Sequence, residues 1–439
     1  MECEIFWIHD TDLAHKTRAT QAVAFASVLA KGENMGLEGL GVIESKVLVE
    51  AKQQQVIDCL KSDGIDLLLV FVREGADSVL TRLITGVNYV VHSAAFIITA
   101  AGERIAILEP MDKGNGAGTY FDNVICYKND DVESHLVEYW KDAAPSKVAL
   151  PYSPYDYASD GLTHGMYLRL ANALGVFGFE QSIVSAEKIV STLRAIKTSE
   201  EQRRVKRAAE LTVKLLKKVG GSITPGITDT EIASLVAKEA GGVGLSKASG
   251  SIAVNPIGEN NKVLRNRPIR AGETIVCDTV ATLDGYSSDI KWLWYVACEG
   301  ESIPARLLEQ WEACKESMET SLHELRPGRP GYEIHEIGCS VLEERGFRRD
   351  GHAYGHQVGL GAHDAGPYLG DRANKYRPSE GLLKPGMIVT LDPTINRTGV
   401  PVADCYCMGI EVMAEVTDEG GRLVHEPQKN IDVIDISCA

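Results

Sequence analysis

The stretch TIVCDTVATLDGYSSDIKWLW, residues 274–294, decides the fold of the second half of the chain. Apolar residues surround a carboxylate at Asp278, and a second carboxylate, Asp289, follows eleven residues later. The intervening Asp284-Gly285 pair is typical of a two-residue hairpin turn, so the two carboxylates can meet across a β-ribbon. A buried carboxylate pair needs a proton or a cation between its members, and a divalent metal ion is the usual cation. The hairpin therefore points to a metal site.

Three downstream segments place further imidazoles and carboxylates among apolar or glycine residues. GHAYGHQVGLGAHDAGPY carries His352, His356 and His363 within twelve residues. Asp392 ends the apolar run of GMIVTLDPTI, and Glu411 lies in the middle of the strand-like YCMGIEVMAEV. A charge in either run needs a partner. One imidazole with four carboxylates is a hard ligand set that suits Mn, Co, Fe or Zn, so the pattern predicts a two-metal centre.

Apolar periodicity predicts two domains, at residues 1–188 and 189–439, in line with the length of 439 residues. The first alternates strand-like runs with helical segments, which is typical of an α/β domain. Its predicted strands lie in 65–72, 94–102, 104–110 and 147–153, and its helices in 49–64 and 162–174.

The second domain is predicted to be α+β. A long amphipathic helix should begin at Ser199, which has capping-box spacing to Gln202, and end at Gly220-Gly221. Thr228 and Glu231 repeat the capping signature before another helix. Two more helices are expected over 306–325 and 332–345, with strands between and after the helices.

Composition and charge exclude some classes of binding partner and some cellular locations. The net charge of -16 disfavours nucleic acid and anionic lipid surfaces. No apolar run approaches the roughly 18 residues of a membrane helix, and the acidic start MECEIFWIHD is unlike a secretory signal. The ten cysteines include no CxxC pair and are expected to be free thiols. We therefore expect a cytoplasmic protein with no nucleic-acid or membrane partner.

Five motifs together carry a family resemblance: LRAIKTSEEQRRVKRAAEL, the Asp278 and Asp289 pair, GHQVGLGAHD, GMIVTLDP and GIEVMAEVTDEGG. In this order they resemble the pita-bread metallopeptidases of family M24, the group of creatinase, prolidase and aminopeptidase P. The resemblance covers the second domain and, more loosely, the first. It implies a creatinase-type N-terminal α/β domain followed by a pita-bread α+β catalytic domain, and a homodimer. The N-terminal segment with Trp7, His9 and His15 is the candidate for a loop that reaches over the partner's active site.

The resemblance also implies a role for each motif residue. Asp289 and Glu411 would bridge two metal ions, with Mn expected first and Co, Zn or Fe as alternatives. Asp392, where the family has a glutamate, would be both a ligand and the general base. The implied metal ligands are Asp278, Asp289, His356, Asp392 and Glu411. His363 would stabilise the substrate amide and its tetrahedral intermediate, and His352 would line the substrate pocket.

The expected activity is metal-dependent hydrolysis of the amide or peptide C–N bond of a dipeptide or small amide, of the Xaa-Pro dipeptidase or aminopeptidase type. Three departures leave other chemistries open: Asp392 is a shortened ligand, Asn261 replaces a pocket histidine, and Gly409 stands where many relatives have arginine.

Two alternatives share the fold. One is a creatinase-like amidine hydrolase or a metal-dependent lyase of the dimethylsulfoniopropionate type. It would act on a small cationic metabolite that faces Trp292 or Trp294. The other is a non-catalytic interaction module.

Overall fold

The computed structural model describes residues 43–75, 79–129, 131–373 and 379–438. The candidate loop with Trp7, His9 and His15 lies outside these ranges. Within them, no helix combines the length and the apolar character that crossing a membrane requires.

The first part of the described chain forms one mixed six-stranded sheet flanked by helices. Its spatial order is β4-β3-β2-β1-β5-β6, in which β1–β2 and β2–β3 are antiparallel and the other pairs are parallel. The strands are β1 Leu67–Val72, β2 Ala94–Thr99, β3 Arg104–Leu108, β4 Asn123–Cys126, β5 Val148–Leu150 and β6 Ile183–Ser185. The α-helices are α1 Lys46–Asp63, α2 Val79–Thr85, α3 Pro110–Gly114, α4 Val132–Ala143, α5 His164–Leu174 and α6 Phe179–Ser182. Strands β1 and β2 are buried throughout, so they form the centre of this domain.

The second part contains long helices and two larger antiparallel-rich sheets, ordered β17-β9-β8-β7 and β11-β10-β12-β15-β16, with a small β13-β14 pair. The helices are α7 Glu187–Ala195, α8 Ser199–Gly220, α9 Asp229–Val243, α10 Ala305–Glu324 and α11 Gly331–Glu344. The first strands are β7 Lys247–Pro256, β8 Glu273–Leu283, β9 Tyr286–Cys298, β10 Gly355–Gln357 and β11 Asp364–Leu369. The remaining strands are β12 Ile388–Leu391, β13 Thr394–Ile395, β14 Met408–Gly409, β15 Val412–Thr417, β16 Gly420–Leu423 and β17 Asp432–Ile436. The predicted fold class, an α/β domain followed by an α+β domain, is confirmed.

The predicted hairpin is formed by β8 and β9. Asp284 and Gly285 make its turn with φ of 50° and 79°, the left-handed conformations that a tight hairpin requires. The register pairs Leu283 with Tyr286 and therefore sets Asp278 directly opposite Lys291. Side chains two residues apart on a strand share a face, so Asp289 lies on the same face as Lys291.

The capping sequences at the starts of two helices were predicted, one of them shifted by one residue. Helix α9 begins after the Thr228 cap, and its capping box to Glu231 is present. Helix α8 is capped by Thr198 with Glu201, one residue earlier than the predicted Ser199 and Gln202 pair. Both pairs have the same three-residue spacing, and the chain uses the one in which the acidic side chain reaches back to the cap.

Helix α7 contains the predicted boundary between residues 188 and 189 and packs on both sides of it. Ile189 and Leu193 belong to the core of the first domain, whereas Ala195 belongs to a core of the second. The Lys52–Glu201 ion pair, with a distance of 2.8 Å between Nζ and Oε2, also joins the two parts of the chain. The domains are thus tied together by a shared helix and buried charges.

Lys197 follows α7 and is fully enclosed at this junction. Its Nζ atom has no hydrogen-bond partner among the described residues. Burial lowers the pKa of Lys197 to about 8, against the opposing attraction of Asp364 and Glu201. Below that pH, the folded protein therefore holds a poorly compensated buried charge.

We expect Lys197→Met to raise the free energy of unfolding at pH 7, because an apolar side chain avoids the cost of a buried ammonium. Between pH 8 and the unfolded-state pKa of 10.5, Lys197 is protonated in the unfolded chain but neutral in the folded chain. Over this range the free energy of unfolding of the wild type should therefore rise, relative to that of the variant, by up to about 3 kcal/mol. Denaturant titrations at several pH values measure this gap. Lys206→Met, an exposed position on α8, is the matched control. A gap that does not change with pH would contradict the prediction.

Two cysteines correct the expectation of free thiols. Cys298 at the end of β9 and Cys438 after β17 form a disulfide, with their Cα atoms 5.4 Å apart. Strand β17 runs parallel to β9 and ends beside it, which brings together two residues that are remote in the sequence. The other seven cysteines of the described ranges are free.

Trp292 and Trp294 do not face a ligand. Both are buried in an apolar core, and the Trp292 indole N–H donates to Asp432 at 2.6 Å. The expectation that either ring could contact a cationic substrate is therefore wrong.

Candidate metal and active site

Adjacent strands bring the five predicted ligands together. His356 lies on β10, Asp392 directly follows β12 and Glu411 directly precedes β15, and these three strands are neighbours in one sheet. Leu391 pairs with Val412, so Asp392 and Glu411 stand one position beyond that pair. The Lys291 amide donates to the Glu411 carbonyl at 3.3 Å and joins this sheet to the hairpin that carries Asp278 and Asp289.

One half of the cluster leaves ligand atoms facing each other. His356 Nε2 lies 3.7 Å from Asp289 Oδ2 and 3.7 Å from Glu411 Oε1. Two sets of three residues have ligand atoms within 4.8 Å of one another: Asp289, His356 and His363, and Asp278, Asp289 and Glu411. Either set can supply a divalent ion with imidazole or carboxylate ligands.

The other half contains a cation of the chain itself. The Lys291 ammonium, buried on β9, donates to Asp392 Oδ2 and, at 2.6 Å, to Glu411 Oε2. It also lies 3.4 Å from Asp278 Oδ2, and Arg397 donates to that same oxygen at 2.7 Å. Sequence reasoning missed both cations. Counting outward from the Asp284-Gly285 turn would have placed Lys291 opposite Asp278, but no local pattern marks Arg397.

Burial and charge divide the carboxylates into two groups. Burial, reinforced by Glu411 and Asp278, raises the pKa of Asp289 well above its usual range. Burial and Asp392 raise the pKa of Glu411 to about 7 although Lys291 opposes this. By contrast, Lys291 and His352 lower the pKa of Asp392 against the effect of burial. The Asp289 side of the cluster therefore lacks positive charge.

Each side of the cluster also has one carboxylate oxygen without a donor in the described part of the chain. Asp289 Oδ1 and Asp392 Oδ1 are buried and have no hydrogen-bond partner among the described residues. A buried carboxylate oxygen with no donor is costly, and a bound cation relieves the cost.

His356 is prepared as a neutral ligand. Burial and the neighbouring His363 lower the pKa of His356 to about 3. Its Nδ1 donates to the Gln357 carbonyl at 3.2 Å, which leaves the Nε2 lone pair free. Such a second hydrogen bond is what fixes the tautomer and orientation of a metal-ligating histidine.

The two other predicted histidines occupy different places. His352 Nε2 lies 2.9 Å from Asp392 Oδ2, so it contacts the cluster itself. His363 packs edge-on against His356, with ring centroids 4.3 Å apart, and its side chain is exposed. The Tyr157 hydroxyl, from the first domain, donates to the His363 carbonyl at 2.6 Å. Sequence reasoning did not find Tyr157, because its contact depends on how the domains meet.

A cavity of about 380 Å³ opens beside His356 and His363, and His352 is not among its lining residues. Residues from both domains line it, among them Tyr157, Thr192, His356, His363, Tyr368 and Met387. Its volume lies within the range of about 300–1,000 Å³ that is typical of small-molecule sites.

The departures at positions 261 and 409 have local explanations. The exposed Asn261 accepts from the Val263 amide at 2.9 Å through its side-chain oxygen, so it stabilises a turn. A Cβ at Gly409 would lie 2.5 Å from Thr394 Cγ2, so a larger side chain there would require the Thr394 side chain to move. Arg397 instead supplies the guanidinium beside Asp278.

The fold and the cluster define a metallopeptidase-type hydrolase of the pita-bread class. Residues 203–418, which lie in the second domain, match the model of metallopeptidase family M24. The predicted family and its hydrolase class are thereby confirmed.

Curated relatives support this class. An Xaa-Pro dipeptidase of Pyrococcus furiosus is 26% identical over 253 residues, which cover 56% of this chain and 67% of the relative. An uncharacterized peptidase of Bacillus subtilis is 24% identical over 63% of this chain and 74% of the relative. Both are named as peptidases, and neither is named as an amidine hydrolase or a lyase.

A solved structure extends the likeness to both domains. The crystal structure of a dipeptidase from Mycobacterium ulcerans covers 90% of this chain and 100% of its own, with a TM-score of 0.71 and 19% identity. At this identity the comparison shows the fold alone.

Proposed function

We propose that this protein is a metal-dependent hydrolase that cleaves the C–N bond of a dipeptide or other short peptide, with Xaa-Pro dipeptides as the first candidates. The observation that carries the proposal is the approach of His356 Nε2 to Asp289 Oδ2 and Glu411 Oε1, 3.7 Å in each case, next to a cavity of about 380 Å³ that His356 and His363 line. The relatives named as Xaa-Pro dipeptidases support the substrate class.

The residues present fit a divalent ion on the Asp289 side of the cluster. Asp289, His356 and Glu411 would hold it there, and we expect Mn²⁺ first. A bound divalent ion supplies Lewis-acid polarisation of a carbonyl and an acidified water nucleophile.

The other side chains have roles that follow from their contacts. His363 lines the cavity and would donate a hydrogen bond to the oxygen of the scissile carbonyl. Asp392 holds Lys291 and His352 with one oxygen, and its unpartnered Oδ1 is available to take a proton from the attacking water and return it to the leaving nitrogen. Tyr157 holds the backbone of His363 and so fixes its position at the cavity.

A substrate panel tests the proposal. The purified full chain, stripped and re-equilibrated with Mn²⁺, Co²⁺ or Zn²⁺, is assayed against Xaa-Pro dipeptides, other dipeptides, tripeptides, small amidines and sulfonium compounds. We expect peptide hydrolysis that is lost with chelator and restored by metal. Turnover of only the amidine or sulfonium compounds, or turnover unaffected by chelator, would contradict the proposal.

The oligomeric state and the cellular location of the protein are also proposals. We infer a homodimer from the family resemblance, and light scattering coupled to gel filtration tests it. A cytoplasmic location is likewise proposed, whereas the Cys298–Cys438 disulfide weighs against a strongly reducing compartment. Thiol labelling of the protein in cells distinguishes the two.

A further inference from the structure

We propose that the Lys291 ammonium takes the place of one of the two metal ions expected of this fold, so that the centre holds a single divalent ion. That ion would be bound by Asp289, His356 and Glu411. The inference rests on the proposed metal-dependent function, but it does not depend on the substrate.

The contacts of Lys291 are those of a cation at a ligand-rich position. Its Nζ meets one oxygen from each of three predicted metal ligands, Asp278, Asp392 and Glu411. Of the three donors of the ammonium group, two bond Asp392 and Glu411, and the Asp278 oxygen lies within ion-pair distance at 3.4 Å. The Asp278 oxygen is also bound by Arg397. A second divalent ion would have to displace both side chains from the oxygens that it needs.

The backbone holds Lys291 in this position. Strand β9 is paired with β8 on one side and with β17 on the other, and Lys291 lies directly opposite Asp278. Its amide is bonded to the Glu411 carbonyl, which fixes it to the neighbouring sheet. The ammonium is thus placed by the register of a central strand rather than by a loop.

The charge count agrees with one ion. Asp278, Asp289, Asp392 and Glu411 contribute four negative charges, and Lys291 and Arg397 contribute two positive charges. One divalent ion then balances the cluster, whereas two ions would leave a net charge of +2 in a largely buried site. Uncompensated buried charge is strongly unfavourable.

The remaining ligand atoms suit a single ion. His356 Nε2 lies 3.7 Å from both Asp289 Oδ2 and Glu411 Oε1, and neither of these oxygens belongs to the Lys291 contacts. Ligands bonded at about 2.1 Å to one ion lie roughly 3.0–3.6 Å apart, so this spacing is close to that of a metal site. Asp289 Oδ1, buried and unpartnered, is a further free ligand atom.

Metal analysis of the wild-type chain is the first test. The protein is stripped, re-equilibrated with Mn²⁺, desalted and measured by elemental analysis, with electron paramagnetic resonance of the bound Mn²⁺ in parallel. We expect one ion per chain and the spectrum of an isolated Mn²⁺. Two ions per chain with an exchange-coupled spectrum would overturn this inference and leave the proposed function standing. No bound ion would overturn the inference and also the metal requirement of the proposed function.

A variant of Lys291 tests whether the ammonium is what excludes the second metal ion. Lys291→Ala frees three carboxylate oxygens and is expected to bind a second Mn²⁺, and the double variant with Arg397→Ala should bind it more tightly. Lys262→Ala is the matched control, because Lys262 lies near Arg397 and Lys291 but is exposed, and it should keep one ion. A single ion in the folded Lys291→Ala variant would show that the ammonium does not exclude the second metal. If that variant does not fold, the wild-type stoichiometry and spectrum still decide between one and two ions.

Discussion

Replacing Glu411 with glutamine is expected to lower kcat/KM for the peptide found in the substrate panel by at least about a thousandfold. Glu411 Oε1 faces His356, and Oε2 bonds Lys291. The glutamine amide therefore removes one negative charge from the side of the cluster that would bind the metal ion. It also removes the charged acceptor of the Lys291 ammonium. Glutamine keeps the side-chain volume, so the backbone position of β15 should change little. Steady-state kinetics and metal content of the purified variant measure the effect.

Glu415→Gln, four residues further along on β15, is the matched control. Glu415 bonds the partly buried Gln202 and the exposed Arg422, away from the cluster, so its loss should change kcat/KM by less than about twofold. Circular dichroism and gel filtration show whether both variants fold. A folded Glu411→Gln variant with wild-type turnover and full metal content would refute the assignment of Glu411 to the metal site.

His363→Ala is expected to lower kcat by about a hundredfold to a thousandfold, the usual cost of removing a donor to a developing oxyanion. KM should change less, because the donor acts mainly in the transition state. The side chain is exposed at the cavity, so the free energy of unfolding should change by no more than about 0.5 kcal/mol. Kinetics across substrate concentration, together with denaturant titration, separate these effects.

Tyr157→Phe shows how much activity depends on the positioning of His363, for comparison with the loss of its imidazole. It removes the hydrogen bond to the His363 carbonyl but leaves the imidazole in place, so we expect a smaller loss of kcat than for His363→Ala. If His363→Ala instead raises KM by about a hundredfold to a thousandfold and leaves kcat unchanged, the imidazole only binds substrate.

The local sequence was enough to predict the elements and most of the side chains that meet in the candidate cluster. The Asp284-Gly285 turn specifies its hairpin because only a few residue pairs adopt two consecutive left-handed conformations at low cost. Asp392 and Glu411 could be recognised because a charge inside an apolar strand is unfavourable without a partner. The glycine-flanked histidines were identified in the same way, from local contrast. These signals need no knowledge of distant contacts.

Tertiary structure decided which cations those carboxylates meet. Lys291 is next to Asp278 by register, but its bonds to Asp392 and Glu411 join residues 101 and 120 positions apart. Arg397 and Tyr157 reach the site over 119 and 206 positions, and nothing in their local sequence differs from that of an ordinary surface residue. The Cys298–Cys438 disulfide likewise depends on β17 docking against β9.

The sequence alone thus determined the family, the elements and the carboxylate and imidazole side chains of the candidate cluster, because turn chemistry, periodicity and misplaced charge are local properties. Only the tertiary structure placed a lysine and an arginine among those ligands and a tyrosine of the first domain beside His363. Such contacts depend on how strands and domains pack, which the local pattern does not encode.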